Sequence, residues 1–320
     1  MSNFSSFIGI DIGKSEVVVG QYGTKSTVSF PNSKTGIKKF FKAYKADLPK
    51  TLVVLETTGG YEALFLNALL DKDIAVHRAN TRQVKSFIRS WGTLGKSDAL
   101  DAQALALYGF ERHQKLLLFK KPSPEHIKLT ALAQRRKDLT QMLVQEKNRL
   151  QSPQNNSFII QCCKQMIRAL EEQISLITKE IETLINNDPL ERQKKEVLES
   201  IPGIGPIVSI FLLAFMPELG QINRRQAASL AGLAPHPYES GQKIGYRRTK
   251  GGREQVRSAL FIAAMAARNS NSPLKAFYEK LIEKGKKKMV ALTALMRKIL
   301  VIANAKLKEL NLDNIATVSV

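Results

Sequence analysis

The order of apolar segments in the first third of the chain constrains its fold more than any other feature. Phe7–Ile12 is a short apolar run, and Glu16–Tyr22 and Ser26–Phe30 are rich in β-branched residues between turn residues. Pro31-Asn32-Ser33 breaks this pattern, and Thr35–Tyr44 reads as a helix. Thr51–Leu55 (TLVVL) has the composition of a buried strand, followed by a Gly59-Gly60 turn and an apolar helix over Glu62–Leu70. Ile74–His77 is a further strand, and Arg82–Ser90 and Ser97–Arg112 are further helices. Three strands in hairpin succession, then helix, strand, helix, strand and helix, predict a mixed α/β sheet.

That order is the ribonuclease H one. It predicts an α/β RNase H-like (RuvC-like) N-terminal domain over residues 1–120, a helical coiled-coil arm over 121–188 and a mainly α C-terminal domain over 189–320. A chain of 320 residues is long enough for more than one core. In the arm, Ile167, Leu170, Ile174, Ile177, Ile181 and Leu184 repeat at three and four residues, a heptad seam, and Leu129, Leu132, Leu139, Leu143 and Leu150 fit a similar register. Ser152–Ser157 is the turn between them; a local helical hairpin packed on its own domain is the other reading of the same pattern. Asn187-Asp188-Pro189 marks the next boundary. Beyond it, Ile201-Pro202-Gly203-Ile204-Gly205-Pro206 lies between two apolar helices, either as a phosphate-holding helix–hairpin–helix or as a packing element. Pro235–Gly252 is a polar, Gly-rich, basic loop, followed by helices over Arg253–Arg268 and Ala291–Leu307.

Charge narrows the partner. The chain has 49 Lys and Arg against 28 Asp and Glu, a net charge of +21. Between Ser240 and Leu300 stand fifteen of those cations, opposed only by Glu254, Glu279 and Glu283. A solvated surface mixes signs more evenly, so this distribution favours a nucleic acid over an acidic protein or a membrane surface. No apolar run is long enough to span a bilayer, and the first residues lack a basic region followed by an apolar one, so a cytoplasmic protein is expected. The two cysteines, Cys162 and Cys163, are adjacent and offer neither a disulfide framework nor a zinc spacing.

Four carboxylates carry the chemical signal. Asp11 ends the first strand and Glu56 the fourth, which puts both at one sheet edge, and Asp98 and Asp101 lie three apart on one helix face. Oxygen donors so arranged suit a pair of hard cations, and a two-metal site stabilises the attacking and leaving oxygens of a phosphoryl displacement. Singly, each acid has a plainer reading: a turn residue for Asp11, a cap for Asp98, a helix-dipole partner for Asp101. Ile10-Asp11-Ile12-Gly13 also resembles the phosphate hairpin of sugar kinases and actin-like ATPases. Those proteins duplicate the fold, and no second Asp-Gly motif follows in the C-terminal half.

Together these segments resemble the DEDD transposases of the insertion-sequence 110 family and the related Piv-type pilin-gene invertases. The resemblance rests on Gly9-Ile10-Asp11, Leu55-Glu56-Thr57-Thr58-Gly59-Gly60-Tyr61 and Lys96-Ser97-Asp98-Ala99-Leu100-Asp101-Ala102. Towards the C-terminus it rests on Glu199-Ser200-Ile201-Pro202-Gly203-Ile204-Gly205, Ala231-Gly232-Leu233-Ala234-Pro235 and Tyr238-Glu239-Ser240-Gly241. It implies a metal-dependent DNA recombinase in which Asp11, Glu56, Asp98 and Asp101 hold Mg²⁺, two ions per site, and Ser240 is a nucleophile. It further implies a homo-oligomer, dimer or tetramer, with the two catalytic domains of one composite site drawn from different protomers. A structured non-coding bridge RNA is implied beside the DNA. Lys243, Arg247, Arg248, Lys250, Arg253 and Arg257 are the cations expected to meet nucleic acid around Ser240. The competing readings are a Piv-type site-specific invertase, a RuvC-like junction endonuclease that uses water, and a nucleic-acid-binding protein without catalysis.

Overall fold

The computed structural model describes residues 4–318, apart from 93, 94, 96, 238, 241, 242 and 246; at 239, 240, 243, 244 and 314–318 it describes the backbone alone. The chain divides into two compact units, Met1–Pro122 and Ser123–Val320.

The first unit is built on a five-stranded sheet in the order β3-β2-β1-β4-β5. Strands β1 (Ser6–Ile12), β2 (Glu16–Gln21) and β3 (Thr27–Pro31) form an antiparallel meander. β4 (Thr51–Glu56) pairs parallel to β1, and β5 (Ala75–Ala79) parallel to β4. Parallel neighbours need a crossover, and each strand of this half is reached through a helix: α1 (Lys34–Ala43) leads to β4 and α2 (Ala63–Leu70) to β5. This is the RNase H-like topology expected from the segment order. Helix α3 (Thr81–Ser90) and helix α4 (Asp98–Arg112) complete the unit.

Side chains alternate across the sheet. Ile8 and Ile10 of β1 face a core shared with Phe40 of α1 and with Phe65 and Leu69 of α2, while Phe7, Leu52 and Val54 face a second core with Phe87 of α3 and Leu105 and Tyr108 of α4. The strand read from sequence as Ile74–His77 runs on to Ala79, which stands opposite Glu56. Past α4 the chain covers the outer edge of β5. Phe119 N donates to Val76 O at 2.7 Å, and His77 Nδ1, in a ring whose pKa burial lowers, lies 2.8 Å from Leu117 O.

The second unit is helical. α5 (Pro124–Leu150) and α6 (Ser157–Asn186) form an antiparallel pair, tied by Arg136 Nε to Thr178 Oγ1 at 2.9 Å and by the Lys128–Glu180 and Lys147–Glu171 ion pairs. All six α6 residues of the expected seam are buried or half-buried. The base of the pair, through Leu129, Ala133, Ile181 and Ile185, belongs to the same core as the helices that follow. Those are α7 (Pro189–Glu199), α8 (Pro206–Phe215), α9 (Arg224–Leu230), α10 (Glu254–Ala267), α11 (Pro273–Glu283) and α12 (Lys288–Val318). α8 is apolar all round and is the central helix, with Val208–Ala214 buried. The turn before it packs inward through Ile201 and Ile204, and the buried Ser209 hydroxyl donates to Glu199 at 2.8 Å. Among the described residues this unit has only two-residue strands, so the second sheet of a sugar kinase or actin-like ATPase is not built there. No helix among the described residues is long and apolar enough to cross a membrane.

Candidate active site

One sheet edge collects the four acids, for a reason that begins at Gly9. Gly9 lies on the α4 side of β1, and a Cβ there would stand 2.1 Å from Ala102 O and 2.4 Å from Ala106 N. The missing side chain lets α4 lie directly on the strand, running against it: Gly109 contacts Phe7, and Ala102, Leu105 and Ala106 lie over Gly9. One turn before Ala102 come Asp101 and Asp98, so they arrive at the strand end where Asp11, two residues after Gly9, faces the same side. Ser97 starts α4 at this point by accepting from Leu100 N at 3.3 Å. Glu56 ends β4, in register one step beyond the Ile10–Leu55 pair.

The electrostatics follow from this convergence. Burial pushes the Asp11 carboxyl up from its ordinary 3.8 to about 6, and the charges of Asp101, Asp98 and Glu56 push the same way. Glu56 Oε1 is buried with no hydrogen-bond partner. Among the described residues no three His, Cys, Asp or Glu side chains stand close enough together to hold one ion. The two observations differ in range: charges act over several ångströms, whereas Mg²⁺ needs oxygens at about 2.0–2.1 Å. In chemistry, though not in their present spacing, four carboxylates at one edge, one of them with a buried oxygen that lacks a donor, suit a hard divalent cation.

A pH dependence follows. The raised Asp11 pKa means that the folded protein binds more protons than the unfolded one between about pH 4 and about pH 6, so this group's contribution to stability falls as pH rises through that window. In EDTA, Asp11→Asn is therefore expected to melt above the wild type beyond pH 6, with the gap closing towards pH 4. Added Mg²⁺ is expected to raise the melting temperature of the wild type alone. A gap that does not change with pH would contradict this assignment.

Sequence reasoning missed Glu62, a residue only 2 % exposed. Its Oε2 accepts from Gly60 N at 2.9 Å and from Thr58 N at 3.2 Å and Oγ1 at 3.0 Å, and its Oε1 from Arg78 at 2.5 Å. Burial alone would raise its pKa, but these donors hold it down to about 2. Glu62 thereby fixes the Thr57–Tyr61 loop that directly follows Glu56. Read along the sequence it is only an acid at a helix start.

In the second unit the loop that bears Ser240 is closed at its base by two glycines. A Cβ on Gly232 would stand 2.1 Å from Gly251 O and one on Gly252 2.0 Å from Gly232 N, and both have φ near +70°. Next to this crossing, β6 (Pro235–His236) pairs with β9 (Arg248–Thr249), and further out β7 (Glu239–Ser240) pairs with β8 (Lys243–Ile244). Ser240 stands opposite Lys243 in that ladder; the side chains of both lie outside the described residues. Arg247, Arg248 and Lys250 are exposed, and Arg247, Arg248 and Arg297 line a cavity of about 510 Å³ beside the loop. Arg253 and Arg257 have partners within the protein. Arg253 grips both Glu218 oxygens (2.6 and 2.5 Å) and donates to Phe215 O at 2.8 Å, and Arg257 donates to Gly251 O at 2.6 Å.

Two family models match this chain. The IS110-type DEDD model, described as a transposase, takes in residues 8–156, and the transposase IS116/IS110/IS902 family model takes in residues 195–279. The chain carries the transposase domains of the IS110/IS116 family. All four acids fall within the first match and Ser240 within the second. The pilin gene-inverting protein of Moraxella lacunata is 28% identical over 313 residues, covering 95% of this chain and 96% of its own length. A 44.8 kDa protein of insertion element IS116 from Streptomyces clavuligerus is 31% identical over 132 residues, covering 41% of this chain and 32% of its own length. Among solved structures, T. thermophilus RuvC in complex with a Holliday junction substrate aligns with 36% of this chain and 99% of its own, at 14% identity and a TM-score of 0.28. Both family matches are to transposase domains.

Proposed function

We propose that this chain is an IS110-family transposase that cleaves and rejoins DNA strands through Ser240 and holds Mg²⁺ with Asp11, Glu56, Asp98 and Asp101. The observation that carries the reading is the convergence of four carboxylates on one sheet edge in a chain with both transposase domains. Two ions held there would supply charge stabilisation to the entering and departing oxygens of a phosphoryl displacement. In cleavage, Ser240 Oγ loses its proton and forms a bond to phosphorus, the P–O3′ bond breaks, and the departing 3′ oxygen takes up a proton. The products are a phosphoserine link and a free 3′-hydroxyl. Joining is the reverse, with a 3′-hydroxyl of the exchanged strand attacking the phosphoserine and Ser240 regaining its proton. Cations of the same loop, Lys243, Arg247, Arg248 and Lys250, offset the charge of the pentavalent phosphorus. Arg253 and Arg257 serve here by holding the loop base in place.

Ser240→Ala is expected to end strand exchange and leave nucleic-acid binding within about twofold, since a serine hydroxyl adds no charge to the interface. Retained cleavage would instead favour a RuvC-type nuclease that uses water. The excess of +21 also suits a structured RNA as a second polyanion, and we assign the chain a bridge RNA; nuclease-sensitive RNA copurifying with the protein is the check. The near full-length match to the Moraxella protein supports inversion as the other outcome of the same chemistry, which the arrangement of flanking repeats decides.

We assign the oligomer contact to a second seam on α6. Ile159, Cys162, Met166, Ala169, Gln173 and Leu176 repeat at three and four residues and are all exposed, and the first seam already faces α5. A seam apolar at all but Gln173 and left in water fits the same helix of another copy. Sedimentation of the full chain is expected to show a dimer or tetramer, reduced towards monomer by Met166→Glu with Leu176→Glu. A monomeric wild type at micromolar concentration would contradict the assignment.

A further inference from the structure

On the α4 side of the sheet, between α3 and α4, lies a cleft of about 790 Å³ that none of the roles above uses. Three cations rim it: Arg82 in the first turn of α3, Arg112 in the last turn of α4, and Lys115 beyond. All three are exposed, none is paired with a carboxylate among the described residues, and no acidic side chain lines the cleft. Apart from Gln83, Ser86, Ser90, His77 and Tyr108, the rest of the lining is apolar. Leu117 is 84 % exposed, Leu116 stands beside it, and Phe87 forms the floor with the Arg112 guanidinium 5.9 Å from its ring. An exposed leucine of this kind is held there by the sheet, because His77 binds the Leu117 carbonyl and Phe119 is tied to β5.

The Arg82 end of the cleft is the one nearer the carboxylate edge. Thr57, next to Glu56, and Thr81, next to Arg82, have their hydroxyls 3.3 Å apart. From Arg82 to Ser90 the cleft follows α3 for about 12 Å at the helical rise, the length of about three stacked nucleotides.

We propose that this cleft holds a single nucleic-acid strand leading to or from the carboxylates. Its phosphates lie on Arg82, Arg112 and Lys115, and its bases lie against Leu116 and Leu117. A duplex stacks its bases inside and offers the apolar wall nothing, whereas a single strand presents both charge and flat apolar faces. The inference rests on the reading of the chain as a nucleic-acid recombinase and adds the place where an unpaired strand is held beside the site.

Trp91, the chain's one tryptophan, gives a local readout. It is 56 % exposed at the end of α3, and its ring meets Phe87 edge-on with centroids 6.4 Å apart. The experiment titrates the full chain in EDTA with labelled short oligonucleotides, reading Trp91 emission for the cleft and label anisotropy for total binding. Single-stranded DNA and single-stranded RNA form separate arms, with a duplex of the same sequence and polyglutamate beside them. Single strands are expected to change Trp91 emission, and the arm that does so at lower concentration identifies the resident strand. Arg112→Gln with Lys115→Gln, its fold checked by melting, is expected to weaken that signal on the order of tenfold and lower its salt slope by about 1.4. Lys38→Gln with Lys39→Gln on α1, across the sheet, removes the same charge and is expected to change it less than about twofold.

Unchanged Trp91 emission at saturating anisotropy would overturn the cleft assignment and leave the recombinase reading standing. An equal response to duplex or polyglutamate, or an equal loss in the α1 variant, would also overturn it. Absence of anisotropy change with every nucleic acid would sink both readings.

Discussion

Asp11→Asn is expected to abolish DNA strand cleavage and exchange, by at least about a thousandfold or on the order of 4 kcal/mol of transition-state stabilisation, while nucleic-acid binding stays within about twofold. The reason lies in how the four acids differ. Asp11 is the carboxylate that burial raises to about 6, with the charges of Asp101, Asp98 and Glu56 adding to the same push. Replacing it by the isosteric amide relieves that repulsion, removes a charged ligand and leaves the sheet and the basic surfaces untouched. The folded state gains and the reaction loses, a combination that a purely structural residue does not give. The check is a strand-exchange assay on recombination-site DNA beside a binding titration and a melting curve. Activity retained within tenfold, at unchanged metal dependence, would remove Asp11 from the site.

Gly9→Val is expected to cost about 4 kcal/mol or more, a large part of the stability of an ordinary domain. The added Cβ meets backbone atoms of α4 at 2.1 and 2.4 Å, and a helix backbone within a packed layer has little room to yield. If the unit survives by letting α4 rise, Asp98 and Asp101 leave the strand end that holds Asp11. The variant then loses both stability and Mg²⁺-induced stabilisation, even though no carboxylate has changed. Urea unfolding with and without Mg²⁺ reads both effects. A loss below 1 kcal/mol would mean that α4 does not need its close approach to β1.

The acidic edge was largely legible in the sequence because each acid sits at a definite point of a periodic element. Asp11 and Glu56 stand at the ends of two apolar strands, and Asp98 and Asp101 open a helix with a capping Ser97. The α6 seam was legible for the same reason, since a heptad repeat states its buried face directly. Glu62 was not, because its partners are loop amides and an arginine sixteen residues further on, and no local period encodes such a contact. α11 was overlooked, although Pro273 at its first turn and the Leu274, Phe277 and Tyr278 spacing carry the signal. α12 runs from Lys288 to Val318, beginning just before the expected Ala291–Leu307 and ending well after it. The short ladders around Ser240 could not be read from a Gly-rich basic stretch, since two-residue strands leave no alternation to detect. The close crossing of Gly232 and Gly252 is what gathers that loop, and it joins residues twenty apart in the chain. The cleft between α3 and α4 depends on the segment after α4 folding back along β5, a tertiary event with no pattern of its own.

The most direct test of the central claim is whether DNA becomes covalently attached to Ser240. Full-length protein, Mg²⁺ and end-labelled recombination-site DNA are incubated, quenched in denaturant, and the labelled protein is digested and mapped by mass spectrometry. The expected result is a Mg²⁺-dependent phosphodiester adduct on the peptide containing Ser240, lost in Ser240→Ala and in Asp11→Asn. Cleaved DNA with free 5′-phosphate ends and no adduct, equally abundant in Ser240→Ala, would contradict it and show that the four carboxylates serve a water-using nuclease.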